Sequence, residues 1–323
     1  MAVTHVSSLS VGGVPTLGIG GLLTQGRVFF VDPELGVDGN DGSAESPLQS
    51  ITAAYNLCVS GRGDVVVLKG GPTSAGTTGH TARLSSTLTW AKHNTHLIGM
   101  GAPTMCGGRS RITGPSSGGT FSPLITISGS GCRFENITVF DDYTVDPVAV
   151  NLTGSRNYFH NVNIQGMGAA TGGDDAAAAS LKIDGGSENT FVSCMIGLDT
   201  IARSTTNAEV ELVGAATRNI FIDCFFSAFA DNAGHLFVKV DGSGDIDRYV
   251  WFKDCMFYNA VESTGTTMTQ AMDVHNTCGG MVILQNCAVV GATDWAAADN
   301  GNVFITNAAP TAGTSGLAVA VTR

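Results

Sequence analysis

Charge is what this chain has least of. Only 13% of its 323 residues are Asp, Glu, Lys or Arg, about half the usual share. A disordered chain needs more charge and less apolar content than this. Proline is held to 9 residues beside 43 glycines, with no strict glycine period, so a collagen is excluded. Aromatic residues make up 7%. No apolar run reaches the about 18 residues of a membrane span. Basic residues number 16 against 27 acidic ones, for a net charge of −11. That balance opposes phosphate-backbone contact and argues against nucleic acid as a partner. No Lys or Arg precedes Arg27, so the positive region of a secretion signal is missing. Residues 1–27 read instead as an extended arm, with Val11, Val14, Leu17, Ile19, Leu22 and Leu23 as its apolar contacts.

What the chain does have is repetition, the first thing to look for in a sequence of this kind. Six segments share one pattern: CRFENITVF (132–140), NYFHNVNIQ (157–165), NTFVSCMIG (189–197), NIFIDCFFS (219–227), VWFKDCMFY (250–258) and VILQNCAVV (282–290). Phe or Leu is followed two positions later by Asn, Asp or Ser, and then by a small or branched apolar residue. That last position holds Ile137, Val162, Cys194, Cys224, Cys255 and Cys287, at spacings of 25, 32, 30, 31 and 32 residues. Ahead of the copies run LITISG (124–129), AVNLTG (149–154), SLKIDG (180–185), EVELVG (209–214) and FVKVDG (237–242). Their alternation is strand periodicity, and each stops at a Gly, the usual residue for a positive-φ turn.

The reading is two short strands per repeat with a tight bend between them and a variable return. Parallel strands without crossover helices at this period imply a solenoid. The expected fold is all-β, a right-handed parallel β-helix of seven or eight rungs, about 35–40 Å long at the sheet spacing. Phe134, Phe159, Phe191, Phe221 and Phe252 should stack in one core ladder. Cys194, Cys224, Cys255 and Cys287 should stack in another. Neighbouring Cβ atoms in such a ladder lie about 4.8 Å apart, beyond the roughly 3.5–4.5 Å of a disulfide. The thiols are therefore read as free, buried small hydrophobes, which suits assembly in a reducing cytoplasm.

Residues 28–70 form a cap: a strand at Val28–Val31, a turn-rich loop, a helix opening at Ser50 with Ile51, Ala54, Tyr55 and Cys58 at helical spacing, and a strand at Val65–Leu68. This segment resembles the opening of right-handed β-helix proteins of the pectate-lyase-like superfamily. The matching residues are Val37–Asp41, Gly42, Pro47, Ser50, Ile51, Ala54, Gly63, Asp64, Val65 and Val67. The resemblance implies a helix that plugs the open end of the solenoid. The division is then arm 1–27, cap and first rung 28–70, β-helix 71–307 and tail 308–323. HLIGMGAPTMCGGRSRITG (96–114), followed by GCRFENITVF, resembles small β-helix structural proteins encoded by tailed bacteriophages.

Polysaccharide-cleaving enzymes on this fold use clustered carboxylates. The candidates are Asp141, Asp142, Asp146, Asp174, Asp175, Asp199 and Asp231, but no outward Asp ladder with a matching Arg is visible. Asp174 and Asp175 fall in a Gly/Ala-rich insertion that reads as a loop, and Asp223 and Asp254 read as turn formers. Asp38, Asn40 and Asp41 could hold calcium, although Asx turns explain the same residues. His93 and His96 should point to opposite faces. Arg109 and Arg111 suit an ion pair or subunit contact. Asn136-Ile137-Thr138 and Asn151-Leu152-Thr153 match the glycosylation motif without a secretion signal. No catalytic, cofactor or metal residues are assigned. The resemblance implies a non-enzymatic virion protein, a capsid decoration or fibre-like subunit. Its partners would be capsid or tail proteins and further copies of itself, a trimer being favoured, with no membrane partner. The alternatives are a tailspike that cleaves or binds a host glycan, and a bacterial surface adhesin.

Overall fold

The computed structural model describes residues 9–11, 14–16, 26–70, 81–108, 110–115, 122–142, 148–261, 264–297 and 302–306. Parallel pairing dominates. The first sheet has ten strands: Val28–Val31, Val65–Leu68, His96–Gly99, Arg133–Glu135, Tyr158–His160, Thr190–Val192, Asn219–Ile222, Tyr249–Lys253, Met281–Gln285 and Val303–Ile305. These define turns 1 to 10 of a right-handed parallel β-helix. A second sheet of eight strands runs from Thr81–Arg83 to Ala288–Val290. A third, of seven, runs from Leu88–Trp90 to Met272–Val274.

Each full turn thus has three strands, one more than the repeat pattern suggested. The repeated segment itself holds two of them: in CRFENITVF, Arg133–Glu135 belongs to the first sheet and Thr138–Phe140 to the second. Among the described residues the second and third sheets, with eight and seven strands, agree with the expected seven or eight rungs, and the first sheet extends further, to ten strands. The first three turns lack the Asn/Asp/Ser bend signal, and the last, at Val303–Ile305, has only a degenerate copy.

One residue makes the corner between the first two sheets. Asn136, Asn161, Ser193, Asp223, Asp254 and Asn286 all have φ between 49° and 54°. The left-handed region costs an ordinary L-residue about 1–2 kcal/mol, and Asn and Asp tolerate it best. Their side chains also link the turns: Asn161 Nδ2 donates to Asn136 Oδ1 at 2.9 Å, and Asn286 Nδ2 to Asp254 Oδ1 at 3.1 Å.

The corner leading into the first sheet carries an asparagine ladder that the sequence reading passed over. Backbone N–H groups of Cys132, Asn157 and Asn189 donate to the Oδ1 atoms of Asn157, Asn189 and Asn219 at 2.8, 2.9 and 3.0 Å. The same three amides donate from Nδ2 to the carbonyls of Gly129, Gly154 and Gly186. From turn 4 to turn 7, neighbouring turns therefore satisfy one another's buried polar groups at this corner.

Inside, the phenylalanine ladder is continuous. Ring centroids of Phe134, Phe159, Phe191, Phe221 and Phe252 follow one another at 5.0, 4.4, 4.5 and 4.7 Å, nearly coplanar. A second ladder of inward side chains runs through Ile112, Val139, Ile164, Ile196, Phe226 and Phe257. At the N-terminal end the helix Ile51–Leu57 closes the core with Ile51, Ala54 and Tyr55, its first turn capped by Ser50 Oγ, which accepts from Ala53 N. Tyr55 packs against Trp90 at 4.6 Å, and its Oη accepts the backbone N–H groups of Ala91 and Lys92.

In the N-terminal arm, strand Leu9–Val11 pairs antiparallel with strand Val14–Thr16, setting Val11 opposite Val14. Leu17, Ile19, Leu22 and Leu23 lie outside the described residues. The insertion read as a loop contains one helical turn, Ala170–Gly173.

Candidate functional site

The carboxylates considered for catalysis do not converge. Asp141 is buried, whereas Asp142 is exposed and accepts from Thr113 Oγ1 at 3.2 Å. Asp174 accepts from Ser204 Oγ, and Asp175 closes a turn by accepting from Ala177 N at 2.8 Å. Asp199 lies near Cys106, whose thiol is raised by burial and by that carboxylate. Asp231 is exposed, and Asp146 lies outside the described residues. Asp223 and Asp254 do occupy equivalent positions on adjacent turns, but at a convex, exposed corner and not in a groove.

The other candidates are likewise engaged in local structure. Asp38 accepts from the backbone N–H groups of Gln49 and Ser50 and from Ser50 Oγ. Asn40 Nδ2 donates to Pro47 O, and Asp41 accepts from Ser43 N. Together they hold the loop onto the capping helix. Nδ1 of His93 accepts from Ser130 N and Nδ1 of His96 from Arg133 N, both at 3.0 Å, with His93 exposed and His96 buried. Arg111 lies 5.0 Å from the Phe140 ring centroid, and Arg109 lies outside the described residues. Asn136 donates to the carbonyls of Gly99 and Gly101, and Asn151 sits on the outer face of the third sheet. No group of three or more His, Cys, Asp or Glu is placed to hold a metal among the described residues.

The cysteines sit at the start of the second sheet, just past the corner. Cys194, Cys224 and Cys255 are buried and Cys287 is half-buried, all as free thiols. Each of the last three sulfurs reaches back to a carbonyl of the preceding turn, Phe191, Phe221 and Phe252 respectively, at 3.6, 3.5 and 3.4 Å. A hydrogen bond with Cys224 and burial push the Cys255 thiol up to about 12. Burial raises Cys224 well above its ordinary value, so neither Cys224 nor Cys255 is poised as a thiolate nucleophile.

A polar cluster that no motif announced lies between the second and third sheets. Arg203, Glu209 and His235 are all fully buried. Arg203 Nε donates to Glu209 Oε1 at 3.1 Å, and Ser180 Oγ donates to Oε2 at 2.5 Å. The guanidinium also reaches the carbonyls of Met167, Ile201, Gly166 and Leu198. His235 Nδ1 meets Asn207 Oδ1 at 2.8 Å, and its Nε2 is 3.5 Å from Glu209 Oε1, too long for a good hydrogen bond. Gly197, at φ 96°, makes room, since a Cβ there would stand 2.8 Å from the Glu209 carboxyl carbon. Burial would raise the Glu209 carboxyl, but the Arg203 charge, with His235 and Ser180, outweighs it and holds the group ionised. Burial lowers His235. The cluster ties three chain segments together and has no opening to solvent, so its chemistry is structural.

The outer faces of the sheets are where another molecule can be met. The third sheet presents Thr126, Asn151, Lys182, Glu211, Lys239 and Asp273 in one column, with Lys182 and Glu211 paired at 2.8 Å. The first sheet is different. Its turns 4 and 5 carry Arg133, Glu135, Tyr158 and His160, linked by Arg133–Glu135 and His160–Glu135 contacts of 2.8 and 3.0 Å. Its turns 6 to 10 carry Val192, Ile220, Ile222, Trp251, Ile283 and Phe304 in two adjoining columns, all half-buried by their neighbours in the ladder. Loss of alternation is the sequence signal that could have found this face: NIFI and MVIL are apolar on both sides of the inward residue.

Comparison with known proteins gives fold likeness. No protein-family model matches the chain, and no curated protein does. Among solved structures, pectate lyase Pel9A matches with a TM-score of 0.55 at 16% identity, over 85% of this chain and 64% of that one. Pectin methylesterase PemA from Erwinia chrysanthemi matches with 0.55 at 16%, over 90% and 92%. Geobacillus virus E2 ORF18 matches with 0.50 at 16%, over 75% and 49%. The chain thus spans under two thirds of the lyase and about half of the viral protein. It has the right-handed parallel β-helix fold of these proteins.

Proposed function

We propose that this chain is a non-enzymatic structural protein on the surface of a tailed-phage virion, a capsid decoration or fibre-like subunit. It would assemble in the host cytoplasm and attach to capsid or tail proteins in part through residues 1–27. The observation that carries the reading is the contrast between the two kinds of surface. Each described carboxylate candidate is engaged in local turns or stands apart, while the outer face of turns 7 to 10 carries an apolar column of Ile220, Trp251, Ile283 and Phe304. Apolar surface on an outer sheet face suits subunit packing. Likeness to a viral open reading frame product adds a fold precedent.

A glycan-binding or glycan-cleaving tailspike is the second reading, favoured by the exposed Tyr158 and by Trp251 on the same face, since aromatic rings offer an apolar body at a wet surface. One pair of measurements separates them. Mass spectrometry and cryo-electron microscopy of purified particles should place the chain on the virion surface at fixed copy number. Incubation with polygalacturonate, methyl-esterified pectin and host capsular polysaccharide should release no product. A chain missing from particles, or a cleavage activity, overturns the structural reading.

A further inference from the structure

We propose that the outer face of the first sheet is a self-association surface, on which a second copy of this chain packs with its β-helix axis parallel and its turns level. This deepens the structural reading by naming the contact between copies, and it concerns the chain in solution, whether or not the particle assignment holds.

The apolar centre is the first support. Ile220 and Trp251 adjoin in one column, and Val192 and Ile222 in the other, with Ile283 next to Trp251. Among the described residues of strands Thr190–Val192 to Met281–Gln285, polar groups enter this face at Thr190, Tyr249, Lys253 and Gln285.

The two edges of this face decide who the partner is and how it is oriented. Arg156, Arg218 and Arg248 stand at the corner where the chain enters the first sheet, with Glu188 and Asp247 beside them. At the corner where it leaves stand Asp223 and Asp254, with Lys253. Among the described residues of turns 5 to 8, the entering edge therefore has one more basic than acidic group, and the leaving edge one more acidic than basic. Turn by turn the match is direct. Strand Asn219–Ile222 has Arg218 before it and Asp223 after it, and strand Tyr249–Lys253 has Arg248 before it and Asp254 after it. Arg218, Asp223, Arg248 and Asp254 are all exposed.

Rotation about an axis parallel to the β-helix sends the entering edge of one copy onto the leaving edge of the next at the same height. Arg218 then faces Asp223, Arg248 faces Asp254, and the apolar columns meet each other. Turns 4 and 5, carrying both signs through Arg133, Glu135 and His160, meet their own kind without net repulsion. A two-fold axis across the β-helix instead sets Asp223 and Asp254 against acidic groups and arginine against arginine. A head-to-tail overlap confined to turns 6 to 10 also gives up the area of turns 4 and 5. Seven turns span about 29 Å at the strand spacing. A strip of that height and side-chain width offers on the order of 400 Å² per copy, half of a standard interface. A lone two-fold pairing over this strip is therefore small.

The experiment is sedimentation of the full chain with circular dichroism and thermal melting alongside. The wild type should sediment as an oligomer. Ile222→Asp, on an outward position, should dissociate it at least about tenfold more readily while the β spectrum and melting temperature stay within those of the wild type. Asp223→Arg with Asp254→Arg makes both edges basic, and Arg218→Asp with Arg248→Asp makes both acidic. Each double variant should self-associate more weakly at low salt, and mixing the two should restore association. Lys182→Glu on the third sheet should change nothing. A wild type that remains monomeric to the limit of solubility, or an Ile222→Asp variant that keeps the wild-type mass, overturns the proposal. Double variants that associate as the wild type does, alone and mixed, overturn the parallel arrangement. A chain that oligomerises as described yet is missing from particles leaves this surface standing and removes only the virion reading.

Discussion

Arg203 and Glu209 meet 3.1 Å apart with neither side chain reaching solvent. Removing one member of such a pair leaves a buried charge uncompensated, which typically costs about 3–5 kcal/mol. Glu209→Gln and Arg203→Met should each destabilise the chain by that order in urea unfolding. Arg203→Met combined with Glu209→Gln should cost less than the two singles added together, because no unpaired charge remains. Additive costs would mean that the two groups do not act as a pair.

The buried histidines set an acid limit. Burial and the nearby Arg133 push His96 down from its ordinary 6.5 to about 4. Between those values the unfolded chain takes up a proton that the folded chain refuses. Stability is therefore fully present above pH 6.5 and falls as pH drops toward 4, by at most about 1.4 kcal/mol per pH unit for this group. His235 acts in the same direction. His96→Gln should flatten the acid side of a stability-versus-pH curve. An unchanged slope would show that His96 is not the titrating group.

Phe191 is fully buried between Phe159 and Phe221 at 4.4 and 4.5 Å. Phe191→Ala should lower unfolding free energy by about 3–5 kcal/mol, and Phe191→Leu by distinctly less. Equal losses would indicate that ring stacking, and not the volume filled, dominates the ladder.

At the corner, Ser193 and Asp223 hold φ of 49° and 53°. Ser193→Gly should be neutral or stabilising, since glycine meets no Cβ penalty there. Asp223→Val should cost about 1–2 kcal/mol. Thermal melting separates the two, and a stabilising valine would contradict the corner geometry.

Thiol labelling should divide the cysteines by burial. All eight are free, and Cys106 is the exposed one. Native protein should label first at Cys106, slowly because its thiol is raised, and denatured protein should label at eight sites. Fast labelling of Cys224 in the native state would mean that the second-sheet corner opens readily.

Much of the architecture is legible from residue order because each rung repeats the same local demands. The inward Phe at 134, 159, 191, 221 and 252 reports where strands stack, and the Asn, Asp or Ser two positions on reports where the chain turns. Both are short-range constraints, one of apolar burial and one of backbone sterics, so they leave a mark at a fixed spacing. The third strand per turn and the additional turns left a weaker mark. Three-residue strands such as Arg133–Glu135 and Thr138–Phe140, joined by a single corner residue, are too short to show alternation by themselves.

Glu209 and Glu211 show what residue order could not decide. They alternate identically in EVELVG, and from the sequence both belong outside. Glu211 is outside, paired with Lys182, whereas Glu209 is covered by the chain around Gly166, Gly197 and Arg203 and fully buried. The same holds for Arg218 and Asp223, ordinary loop and turn residues in the sequence, which the coil sets on opposite edges of one face. Local propensity and periodicity act within a few residues and are written in the sequence. Which segment folds over which strand, and which charges share an edge, depends on contacts between residues about thirty positions apart, and only the wound chain brings them together.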